Sequence, residues 1–174
     1  MKTITIFGSA QPKEGDEEFL TAYKLGKLLA ENNFNVCTGG FQGTMDAVSK
    51  GAVENGTEAI GVTVGFWNAA TSKYLTKEIK CKTLFDRIQK LIELGDAYII
   101  LQGGTGTLLE LAAVWEMMNK RIINAKPIAC HSSVWKEIVK VMDKQLEHEH
   151  RSIKFVKCFD NIDEIVDYIK TTIG

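Results

Sequence analysis

The segment Ala97-Tyr98-Ile99-Ile100-Leu101-Gln102-Gly103-Gly104-Thr105-Gly106-Thr107-Leu108-Leu109-Glu110 runs from unbroken apolar residues, through three glycines and two threonines, into residues of helical spacing. An apolar run without polar alternation reads as a strand buried on both faces, the situation of a central strand in a parallel sheet. A glycine-rich turn from such a strand into a helix is the unit from which doubly wound α/β folds are built. Working outward, short β-branched runs alternate with helix-period segments from one end of the chain to the other, so βαβ units and a parallel sheet are expected throughout.

Towards the N-terminus, Lys2 to Phe7 reads as a strand broken by Gly8-Ser9-Ala10, followed by a helix from the N-cap Asp16 to Glu31. Asn35 to Thr38 is a short strand. Gly39-Gly40-Phe41-Gln42-Gly43 then turns into a helix ending near Asn55-Gly56, and Glu58 to Val64 is the third strand. The pattern lapses from Gly65 to about Glu78, where Trp67 is either a core residue or part of a lid. Ile79 to Cys81 reads as a brief strand before a helix with Leu84, Ile88, Leu91 and Ile92 on one stripe. After Asn119 come a strand at Pro127 to Cys130, a helix from Ser132 or Ser133, a strand around Lys154 to Lys157 and a helix capped by Asn161 to Glu164.

The 174 residues, 45% hydrophobic, describe one domain spanning residues 1–174, with no repeat or linker. A chain of this size buries roughly 70% of its extended surface and needs neither disulfides nor a structural metal. With 21 Lys+Arg against 22 Asp+Glu, the net charge of −1 offers no general attraction for nucleic acid or an anionic membrane. The uncharged stretches Ala59 to Ser72 and Ala97 to Leu109 fall short of the ~18 apolar residues of a membrane span. The first residues lack the apolar core and cleavage site of a signal peptide, so a cytoplasmic protein is expected. Cys37, Cys81, Cys130 and Cys158 never form a C-x-x-C pair and read as free thiols; Cys130-His131 has no further ligand at metal spacing, and no metal or cofactor is expected.

Three glycine-bearing turns follow strands: Gly8-Ser9, Gly39-Gly40 to Gly43, and Gly103-Gly104-Thr105-Gly106-Thr107. In a doubly wound sheet they converge on one edge, where glycine backbones and helix N-termini accommodate a phosphate. The alternative for these glycines is a tight turn that needs no ligand, a reading that suits Gly8 better than the three Gly and two Thr of Gly103 to Thr107. No Gly-Lys-Ser or Gly-Lys-Thr follows them, which excludes a Walker loop, and Leu109 stands where the dinucleotide fingerprint requires its third glycine. Glu110 has two readings: with Thr107 it fits a capping box, and it is also a carboxylate at an apolar helix mouth suited to acid–base work. Arg87 flanks the apolar stripe of its helix, either as a surface arginine with a buried stem or as a charge reaching inward. The helix to Asn119 is apolar on more than one face, which suggests a partner subunit across a two-fold axis.

From Phe85 to Glu110 these residues resemble the signature region of the Lonely Guy (LOG) family, in the wider SLOG group of Rossmann-like proteins. The resemblance continues through Phe7-Gly8-Ser9, Gly39-Gly40-x-x-Gly43-x-Met45, Ile60-Gly61-Val62 and Lys126-Pro127-Ile128. It implies a three-layer Rossmann-like α/β fold, a central parallel sheet flanked by helices, in a homodimer or higher homo-oligomer. It also implies a phosphoribohydrolase that cleaves the N-glycosidic bond of a purine nucleoside 5′-monophosphate, adenine or cytokinin in type. Carried over by position, Glu110 is the catalytic carboxylate and Arg87 its cationic partner. Gly103 to Thr107 becomes the phosphate cradle, with Gly8, Ser9, Gly39, Gly40 and Gly43 completing the nucleotide site. The chain departs from the family at Gln102, Thr105, Phe41 and the Leu84 to Ile88 element, which keeps only its arginine. This reduced set also resembles molybdenum-cofactor and nucleotide carriers that bind without hydrolysing. A pyridoxal-phosphate lysine decarboxylase is not expected, since no strong feature identifies an internal-aldimine lysine and the chain is short for such a fold.

Overall fold

A computed structural model describes residues 1–65, 68–151 and 155–174. The elements follow in the order β1 (Thr3–Phe7), α1 (Glu17–Glu31), β2 (Asn35–Thr38), α2 (Thr44–Glu54), β3 (Ala59–Val64), β4 (Lys77–Cys81) and α3 (Leu84–Leu94). There follow β5 (Ala97–Ile100), α4 (Thr105–Asn119), β6 (Ile128–His131), α5 (Ser133–His148), β7 (Val156–Phe159) and α6 (Ile162–Ile173). All strand pairs are parallel, in the order β4-β3-β2-β1-β5-β6-β7. The parallel sheet expected from the alternating pattern is present, in the three-layer α/β arrangement that the family resemblance implies.

Side-chain alternation along the strands sorts the core into two layers. Ile4, Ile6, Val36 and Ile99 pack with α1, α2 and α6 through Leu25, Val48 and Ile165. Phe7, Val62, Tyr98 and Ile100 pack with α3, α4 and α5 through Leu91, Val114 and Trp135. Strand β5 is wholly buried, as its unbroken apolar run required. The chain moves outward from β1 to β4, then crosses back to β5 on the other side of β1. A crevice therefore opens beyond the C-terminal ends of β1 and β5, the position where such sheets bind ligands.

Several boundaries differ from expectation. Asp16 occupies the N-cap of α1, but its carboxylate accepts the Lys13 N–H at 2.7 Å and does not cap the helix. Strand β7 runs from Val156 to Phe159, two residues later than read, because pairing with β6 sets its register; Lys154 lies outside the described residues. The strand read at Ile79 to Cys81 begins at Lys77, extended by its ladder with β3. Trp67 lies outside the described residues, whereas Ser72 donates its N–H to the Gly40 carbonyl at 2.9 Å and ties the following segment to the α2 turn. Among the described residues, no helix is long and apolar enough to cross a membrane.

Candidate functional site

The α4 helix begins at Thr105 with Gly104 at its N-cap. Thr107 is therefore the third helical residue, and the capping box read from Thr107 and Glu110 does not form. The first intrahelical bond at this end runs from the Leu108 N–H to the Gly104 carbonyl, 3.0 Å. The amides of Thr105, Gly106 and Thr107 precede it and have no partner within the helix. A Cβ on Gly104 or Gly106 would meet nothing within 4 Å, so this helix mouth is open. Gly103 is different, because a Cβ there would lie 2.2 Å from Thr107 Oγ1; its lack of a side chain lets the turn close onto the helix.

Glu110, one helical turn further in, pairs with Arg87. Arg87 Nη1 lies 3.2 Å from Glu110 Oε1, with side-chain exposures of 5% and 11%. Arg87 therefore reaches inward, as its place beside the apolar stripe of α3 allowed. Its Nε donates to the Val62 carbonyl at 2.8 Å, and its guanidinium carbon lies 5.8 Å from the centre of the Phe41 ring. Gly39 supplies the room: a Cβ there would sit 1.8 Å from Arg87 Nη2. Strand β3, the turn after β2 and α4 thus fix the guanidinium from three sides.

Burial raises the Glu110 carboxyl, while the Arg87 charge and hydrogen bond hold it down; the net result is a pKa of about 7. Burial outweighs the carboxylate's opposing influence on Arg87, whose pKa is lowered. Glu110 thus divides between its two protonation states near neutrality, the condition for efficient proton transfer.

The pair borders a cavity of about 390 Å³ lined by Gly8, Ser9, Gly39, Met45, Leu84, Gly104 to Thr107 and Leu109. Seven of the ten positions expected to bind a nucleotide are in this lining; Gly40, Gly43 and Gly103 are not. Gly40 and Gly43 instead adopt left-handed backbone, φ 77° and 71°, in the turn that aims α2. A larger cavity of about 590 Å³ lies behind Gly43, but its ionisable side chains are all exposed or half-buried. Arg87 and Glu110 line the smaller one.

Residue spacing did not reveal every contributor. Thr44 joins the β1 and β2 turns by donating both its N–H, at 2.9 Å, and its hydroxyl, at 3.0 Å, to the Ser9 carbonyl. Met45 and Leu109 form apolar walls of the cavity. Nothing in the local sequence distinguishes Thr44 from an ordinary first-turn threonine. Among the described residues, no group of three His, Cys, Asp or Glu side chains is placed to hold a metal ion.

Residues 1–160 match the model of the SLOG cluster4 family. The chain belongs to the SLOG cluster4 family. It is 30% identical over 117 residues to a cytokinin riboside 5′-monophosphate phosphoribohydrolase of Rhodococcoides fascians, covering 65% of this chain and 59% of that protein. It is 31% identical over 159 residues to a probable enzyme of the same name from Oryza sativa subsp. japonica, covering 85% of this chain and 61% of the relative. The SLOG chain thus spans about three fifths of the length of these two relatives. Its fold is that of the molybdenum cofactor binding protein from Rippkaea orientalis, with a TM-score of 0.80 at 21% identity over 99% of this chain and 98% of the other.

Proposed function

We propose that this SLOG protein hydrolyses the N-glycosidic bond of a purine nucleoside 5′-monophosphate, releasing free base and ribose 5-phosphate. The observation that carries this reading is the buried Glu110, with a pKa of about 7, one helical turn beyond an open N-terminus. The phosphate accepts from the amides of Thr105, Gly106 and Thr107, with the positive end of the α4 dipole behind them. Gly106 and Glu110 are about 6 Å apart along the helix axis, which is comparable to the span of a ribose. The carboxylate therefore faces the anomeric carbon, while Met45, Leu84 and Leu109 offer apolar surface to the base.

The carboxylate accepts a proton from water as the water oxygen bonds to the anomeric carbon, and its charge stabilises the oxocarbenium character that develops there. The bond to the base nitrogen breaks, its electron pair leaves with the base, and the base takes up a proton from solvent. Arg87 acts as a positioning residue, because the protein itself engages Nε and Nη1. It orients Glu110 and keeps the carboxyl from rising further.

The exposed apolar groups Phe85, Leu108 and Leu109, at 73%, 39% and 38%, support a homodimer in which a second copy covers the α3 and α4 face. Because Leu109 also lines the cavity, the partner would border the base end of the site.

The test is incubation with AMP and cytokinin riboside monophosphate, following base and ribose 5-phosphate by chromatography, with Glu110→Gln alongside. Base release abolished in the variant is expected. Release unchanged by Glu110→Gln refutes the assignment. Binding without release from any nucleotide favours a carrier of a phosphorylated ligand, the reading supported by the Rippkaea orientalis protein's likeness and by the departures at Gln102 and Thr105.

A further inference from the structure

Cys130 and Cys158 are 28 positions apart in sequence, yet they face each other as a register pair on the neighbouring parallel strands β6 and β7. Both belong to the sheet face covered by α5, where Cys130 is fully buried and Cys158 is packed against the same layer. Adjacent strands run about 4.8 Å apart, within the Cα separations of roughly 4.4–6.8 Å that a disulfide spans. Strand β7 is the edge of the sheet and has only four residues, so it can yield as the sulfurs approach. The other two thiols lack this arrangement: Cys37 in β2 and Cys81 in β4 have β3 between them.

We propose that Cys130 and Cys158 form a reactive dithiol that a small anionic disulfide of the glutathione type oxidises to an intramolecular bond. Cys158 is the entry point. It borders a shallow cavity of about 390 Å³ beneath α5, lined by Lys136, Lys140, Lys144, Asp143 and Glu147. Lys136 is held by Asp160 at 3.1 Å, which leaves the exposed amines of Lys140 and Lys144 to meet the carboxylates of a glutathione-like molecule. Asp143 Oδ1 is buried and has no hydrogen-bond partner among the described residues; the charges of Asp143 and Asp160 oppose the Cys158 thiolate, whereas Lys136 favours it. The hydrogen bond from the Cys130 thiol also lowers the Cys158 pKa, favouring Cys158 as the thiolate; donating that bond and burial raise Cys130.

The exchange balances in two steps. The Cys158 thiolate attacks one sulfur of the small disulfide, whose S–S bond breaks and releases one small thiolate. Cys130 then loses its proton and attacks the Cys158 sulfur, forming the Cys130–Cys158 bond and expelling the second small thiolate. Two protein thiols are oxidised and one small disulfide is reduced to two thiols.

The test treats the full, folded chain with oxidised glutathione, quenches it with iodoacetamide, and reads intact mass and peptide maps. Against a control alkylated after full denaturation without oxidant, the product quenched in denaturant is expected to carry two fewer carbamidomethyl groups and a Cys130–Cys158 linked peptide, and reduction with dithiothreitol followed by fresh iodoacetamide restores the control mass. Cys130→Ser is expected to stop at a single glutathione adduct on Cys158, because the second thiol is missing. An unmodified wild-type chain, a lasting glutathione adduct without the link, or a link through Cys37 or Cys81 overturns the proposal. The wild-type arm decides this even if Cys130→Ser does not fold. In a folded Cys130→Ser, an adduct on another cysteine overturns Cys158 as the entry point.

Discussion

Replacing Arg87 by Met keeps most of the buried stem while removing the charge, and so isolates the ion pair that organises the site. The Nη1–Oε1 distance is 3.2 Å, and both groups are buried. At an effective dielectric constant of about 20, the Coulomb attraction across such a gap is about 5 kcal/mol. Part of this is offset by desolvation, and removing one partner of a buried pair usually costs about 3–5 kcal/mol. Wild type, Arg87→Met, Glu110→Leu and the double variant form a cycle in which the coupling is read directly. Because the Glu110 pKa is about 7, the carboxyl is ionised at pH 8 and neutral at pH 5. The expected coupling is about 3 kcal/mol at pH 8, falling at pH 5 to about 1.5 kcal/mol, that of one hydrogen bond to a charged donor. Urea unfolding followed by circular dichroism at both pH values measures it, with constant m-values checking that the denatured state is unchanged. A coupling below about 1 kcal/mol at pH 8, or one no larger than at pH 5, would show that Arg87 and Glu110 do not act as an ion pair.

Further outcomes follow from the same geometry. Glu110 has a folded-state pKa of about 7 against 4.5 for an ordinary glutamate, so the folded protein holds a proton that the unfolded chain releases. Its contribution is complete below pH 4.5 and lost as pH rises through 7, about 3 kcal/mol in all. Wild type should therefore lose stability relative to Glu110→Gln over that interval, as read by parallel denaturant titrations. Gly104→Ala should leave stability within about 0.5 kcal/mol while weakening nucleotide binding, measured by calorimetry, because its Cβ enters only the open cradle. Gly103→Ala should destabilise by about 1–3 kcal/mol through its collision with Thr107, visible as a lower Tm. Phe85→Asp should dissociate the proposed dimer in sedimentation; a wild-type chain that is already monomeric at micromolar concentration removes that proposal.

Much of the fold was legible because its signals are local. The apolar run of Ala97 to Leu101 marks a doubly buried strand, and the glycine turns after β1, β2 and β5 mark where strands pass into helices. Boundaries were less legible where long-range pairing sets them, as at β7, whose register depends on β6. Glu110 shows the same division at the site. Three-residue spacing to Thr107 offered a local capping role, but the helix starts two residues earlier and leaves the carboxylate to a partner 23 residues away.

By itself, then, the sequence determined the alternation of strands and helices, the parallel sheet and the turns that gather at its edge, since periodicity and glycine chemistry act over a few residues. Only the tertiary structure decided that Arg87 turns inward through the space left by Gly39, that Thr44 binds the Ser9 turn, and that Cys130 meets Cys158. Those contacts join separate βα units. They arise when the sheet's crossover brings strand ends together and burial makes it costly for Arg87 or Glu110 to stand without the other.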